Sequence, residues 1–152
     1  MKGLISFLLI TSIMSACGNN NVDEPGEEEK TAQPVYSWQA FINDSSGRLE
    51  MKKVGDTGPD TLSTAAVISF LNTSYTHVQL VQVKTSSDTI YLKIPDALYL
   101  TQQMGSTGPT IYLAQVIYNL TEIPGINYVN LDFDEGDHAS PGTFNRKSFK
   151  DE

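Results

Sequence analysis

Two tripeptides fifty residues apart, Thr57-Gly58-Pro59 and Thr107-Gly108-Pro109, set the frame of this chain. Threonine and glycine suit a helix cap. Proline suits the first turn, where its missing N–H has no intrahelical partner anyway. After the first tripeptide, Leu62, Ala65, Ala66, Ser69 and Phe70 recur at helical spacing, with Val67, Ile68 and Leu71 widening the apolar arc. After the second, Leu113, Ala114, Val116, Ile117 and Leu120 share one arc, while Gln115, Asn119 and Glu122 lie opposite. Pro124-Gly125 ends that helix. The echo reads equally as an internal duplication or as two uses of one helix-start chemistry.

Outside these helices the apolar period drops to two. Tyr36–Ile42 and Arg48–Val54 read as strands joined by the turn cluster Asn43-Asp44-Ser45-Ser46-Gly47. His77–Lys84 and Thr89–Ile94 read as a second pair, the first with a slip in alternation at Val81-Gln82 that predicts a bulge. Ile126–Phe133 alternates most clearly, with Val129, Leu131 and Phe133 on one face. The order is β-β-α-β-β-α-β. It implies an α+β domain with a two-layer architecture, a mixed sheet carrying two helices on one face.

The first sixteen residues stand apart. Lys2 precedes an apolar run, Leu4–Met14, too short for a membrane span, which needs about 20 residues. The single cysteine, Cys17, follows Met14-Ser15-Ala16. This arrangement resembles the lipobox of bacterial lipoproteins, where the peptide is cut before a cysteine that is then acylated, and it implies lipidation of Cys17. The mature chain would keep 136 residues with a side-chain charge of −9. Residues 17–35 then read as the lipidated cysteine and an acidic tether, of which 18–35 carry a net −4. Residues 36–137 form the domain and 138–152 a C-terminal tail. The expected location is the cell envelope, anchored on the periplasmic side or at the cell surface.

Ten Lys and Arg against 18 Asp and Glu exclude a phosphate-gripping nucleic-acid binder. One cysteine excludes an intrachain disulfide. The densest polar cluster, Asp132 to His138, lacks the twelfth-position carboxylate of an EF-hand, since Thr143 stands there. No Gly-x-Ser-x-Gly or His-Glu-x-x-His motif occurs. No catalytic residue, metal site or cofactor is therefore expected. Gly105-Ser106-Thr107-Gly108 lacks the Lys-Ser/Thr of a P-loop and reads as a helix cap. The remaining resource is aromatic and polar: Tyr36 and Trp38 on one strand face, and Tyr112, Gln115, Asn119 and Glu122 on the second helix, are the candidate binding residues.

The stretch Thr89–Phe133 resembles the GerM-type domain of sporulation and germination proteins and other envelope lipoproteins. The resemblance lies in the strand TIYLKI, the loop Met104-Gly105-Ser106, and Leu113–Ile126, which reads LAQVIYNLTEIPGI. Leu113, Ala114, Gln115, Tyr118, Leu120, Thr121, Pro124 and Gly125 carry it most closely. Met104 stands where a glycine is often found, Asn119 where a threonine is, and the tail after Asp137 has no counterpart. The resemblance implies a fold like the ring-building modules of secretion systems and a non-enzymatic role. The expected function is a lipid-anchored binding or assembly module for an envelope protein or cell-wall component. The alternative is a small-ligand or glycan binder using an exposed aromatic face.

Overall fold

The computed structural model describes residues 36–150; Cys17 and the segment 17–35 lie outside the described residues. The α+β class and the element order hold through the fifth strand. β1 (Ser37–Ile42) and β2 (Leu49–Val54) form an antiparallel hairpin. α1 (Thr64–Ser74) follows, then β3 (Val81–Ser86), β4 (Thr89–Lys93), α2 (Gly108–Leu120) and β5 (Tyr128–Asp132). The hairpin does not join the main sheet, as a single mixed sheet would require; it is a separate two-stranded sheet standing against α2. The main sheet runs β3-β4-β5-β6, where β6 is Gly142–Phe144.

Residues 138–152 were expected as a tail. Instead, Gly142–Phe144 pair with Leu131–Val129 as the fourth strand, and a 3₁₀ turn, Arg146–Phe149, returns to α2. Phe149 is buried in the core and stacks near Phe144. No strong alternation announces so short a strand. Its side chains are held by neighbours rather than by their own pattern.

β4 and β5 are parallel, so a crossover must connect them, and α2 supplies it. Ile90, Leu92, Val129 and Leu131 point to one face and meet Leu113, Val116, Ile117 and Leu120 of α2 and Val67, Ile68 and Leu71 of α1 in one core. Tyr91, Lys93, Asn130 and Asp132 occupy the other face, which no element covers among the described residues. Burying these apolar side chains at roughly 1.5–3 kcal/mol each is the main stabilising term.

The two Thr-Gly-Pro sites do different work. Pro109 lies in the first turn of α2, as its chemistry predicts. Pro59 lies in a loop five residues before α1, whose N-cap is Ser63; its Oγ accepts from the Ala66 N–H at 3.3 Å. The connection between β4 and α2 contains a π-helical turn, Tyr99–Gln103. Gly108 is required by a close approach: a Cβ there would lie 2.7 Å from Met104 Cβ.

Candidate binding surface

The candidate residues of α2 and of the turn that follows it share one stripe, at spacings of three and four from Tyr112 through Gln115 and Asn119 to Glu122. The structure covers most of that stripe. Tyr112 is only 1% exposed, so its expected place on an open face is corrected. The end of α1 closes over this turn of α2, and Tyr75 packs edge-to-face on Tyr112 with ring centroids 4.9 Å apart. The Tyr112 hydroxyl has no hydrogen-bond partner among the described residues. Burial, then the nearby Tyr75, push its ionisation above the usual phenol range.

Asn119 is 3% exposed and belongs to the hairpin seam, not to an open surface. Its Oδ1 accepts from the Trp38 N–H at 2.9 Å, and its Nδ2 donates to the Trp38 carbonyl at 2.9 Å and to the Gln115 carbonyl at 2.8 Å. Gln115 is half-buried beside it. A strand cannot pair its backbone with a helix, so an amide side chain supplies the pairing a neighbouring strand would give.

Glu122 lies at the end of this seam, where the charges gather. Its Oε2 accepts from the Trp38 indole N–H at 3.0 Å and from Arg146 Nη2 at 2.7 Å, and its Oε1 accepts from Lys53. Partial burial would raise the Glu122 carboxyl, but hydrogen bonds from Lys53, Trp38 and Arg146 and the Lys53 charge outweigh it and hold it down at about 2. Arg146 also donates from Nε to Thr121 Oγ1 at 2.9 Å and from Nη2 to the Tyr118 carbonyl at 3.1 Å. A cation there meets the negative end of the α2 dipole. The guanidinium lies 5.2 Å from the Trp38 ring and 5.1 Å from the Tyr118 ring, and those rings meet edge-to-face at 5.3 Å.

Trp38 is thus half-buried, with its N–H engaged and cations over its ring. Tyr36 is 40% exposed, with Lys53 Nζ 5.0 Å from its ring centre. Arg146 and Lys53 were not among the candidates. A basic Arg146-Lys147 pair in an acidic chain is a signal for them, but the register that carries Arg146 to Glu122 is tertiary. His77 stacks on Tyr99 at 4.7 Å. Asp132, Asp134 and His138 are exposed, and among the described residues no three His, Cys, Asp or Glu are grouped to hold a metal ion.

Comparison with known proteins adds the family context. A family model described as Germane, sporulation and spore germination, matches residues 23–137. Among solved structures, the chain is similar to the tandem GerMN domains of the sporulation protein GerM from Bacillus subtilis, at 17% identity and a TM-score of 0.44. The match covers 78% of this chain and 47% of that one, so the chain spans about half the length of that structure. No curated protein matches.

Proposed function

The chain belongs to the Germane family of sporulation and spore germination domains, and on that premise we propose that it is a lipid-anchored envelope protein whose GerM-type domain binds another protein without catalysing a reaction. The family match over residues 23–137 is the observation that carries the reading. Cys17 behind an apolar run supports the anchor: acylation adds about 0.8 kcal/mol per buried CH₂, enough with two or three chains for stable attachment. Among the described residues, no helix is long and apolar enough to cross a membrane. The tether 18–35 would hold the domain at a random-coil reach of roughly 20–25 Å from that anchor.

The glycan-binding alternative is less well supported. It needs a bare aromatic face, and Trp38 is already engaged by Glu122, Arg146, Lys53 and Tyr118. Tyr36 is the ring of the pair that remains well exposed.

Two measurements test the reading. Globomycin treatment or Cys17→Ser is expected to leave unprocessed precursor and to stop lipid labelling. A processed, membrane-bound Cys17→Ser protein would sink the anchor. Pull-down with the intact lipoprotein is expected to recover a specific envelope protein, and recovery of none would sink the binding role.

A further inference from the structure

Strand β3 leaves one long edge of the main sheet open. All six residues, Val81–Ser86, are exposed, and among the described residues their backbone hydrogen-bonds to β4 alone. The opposite edge, β6, is only three residues long. One residue before β3 the edge is already closed. Asn72 Oδ1 accepts from the Leu80 N–H at 2.8 Å, and Asn72 Nδ2 donates to the Leu80 carbonyl at 3.0 Å. A side-chain amide from α1 therefore stands where the peptide group of a neighbouring strand would stand, and beyond it the edge has no such partner among the described residues.

Edges are ordinarily protected by charge, proline or a bulge. Here Lys84 and a register shift between Gln82 and Lys84 are the protection within β3, while Val81 and Val83 are 49% and 62% exposed. Beside the strand runs a groove of about 490 Å³ between α1 and the chain entering β3. Ile68, Asn72 and Gln82 line it with the small residues Ala65, Ser69 and Thr73, and among the described residues no charged side chain borders it.

We propose that this edge and groove take an extended, uncharged peptide segment of a partner protein as an added strand, continuing along β3 the pairing that Asn72 begins at Leu80. Backbone hydrogen bonds supply the attraction. The small side chains of α1 leave room for alternate side chains of the incoming strand. A charged side chain directed at Ile68 would be desolvated without a counter-charge. Val81, in register with Lys93 on the face away from the helices, offers an apolar contact to the side chains between. The proposal rests on the protein-binding reading above and names the chemistry of the partner.

The test pans the detergent-solubilised full-length protein against a displayed library of uncharged eight-residue peptides and titrates a recovered peptide into isotope-labelled protein. Amide shifts and slowed hydrogen exchange are expected over 81–86 and 65–73, with contacts between peptide Hα atoms and β3. Val83→Lys is expected to weaken the peptide at least about tenfold without lowering Tm. Val81→Lys gives the same reading at a second exposed site should Val83→Lys disturb the bulge. Recovery of no binder, binders that map to the Tyr36–Arg146 surface, or unchanged affinity in both variants would overturn the proposal. So would β3 pairing with a second copy of itself in the absence of peptide. In the pull-down, a partner retained by both lysine variants overturns the edge assignment and keeps the binding role, whereas a partner lost from them supports it.

Discussion

The side-chain amide of Asn119 hydrogen-bonds both the N–H and the carbonyl of Trp38, 81 residues away, and so joins the β1–β2 hairpin to α2. Asn72 holds Leu80 in the same two-sided way. In both cases a helix offers an asparagine where a strand has backbone groups to satisfy.

Asn119→Ala removes both bonds, which leaves the Trp38 N–H without its acceptor and its carbonyl with only the long contact from Gln115 Nε2 at 3.5 Å. The expected loss is about 2–3 kcal/mol, read as a lower denaturant midpoint. The Trp38 amide should exchange faster while the amides of β4 and β5 stay protected.

Glu122→Gln tests the charge cluster. The Glu122 carboxyl is lowered from 4.5 to about 2, so the folded state favours its ionised form. A lowered value contributes stability that is present above about pH 4.5 and is lost as pH falls through 2. Exposure to solvent screens the cluster, so the contribution is about 1–2 kcal/mol. Urea midpoints of the parent chain and the Gln variant should differ at pH 6 and converge near pH 2. A constant gap across that window would contradict the assignment.

Tyr112→Phe removes a buried hydroxyl that has no partner, so the variant should be as stable as the parent or up to about 1 kcal/mol more stable. Tyr112→Ala empties the space beside Tyr75 and should cost about 3–5 kcal/mol. Thermal unfolding of the pair distinguishes a core role from a surface one.

Gly108→Ala would ordinarily help a helix. Here the added methyl meets Met104 Cβ at 2.7 Å, and the expected cost is about 1–3 kcal/mol. Met104→Gly in the same chain should recover part of the loss, as calorimetry would show.

The helices and strands were legible where apolar residues kept their period. Leu113–Leu120 announced both its helix and its buried arc, and Val129 and Leu131 announced their strand face. The bulge read at Val81-Gln82 is found within one residue, between Gln82 and Lys84. The stripe Tyr112-Gln115-Asn119-Glu122 was also legible as polar, but its use was not. Polarity at helical spacing does not distinguish a face open to solvent from a face that will meet backbone groups of a strand. Sequence suggested the first, and the hairpin occupies it as the second. Arg146 carried still less signal, because a single cation gains a role only when another part of the chain presents a carboxylate and two rings.

The sequence by itself determined the order of the first five strands and two α-helices, the inward faces of α2, β4 and β5, and the membership of a known family, because those follow from local periodicity and a contiguous motif. Tertiary structure alone decided that the hairpin stands apart from the sheet, that residues 142–144 complete it, and that Glu122 gathers Lys53, Trp38 and Arg146. These depend on pairings between residues far apart in the chain, whose free energy is gained only after the core has brought them together.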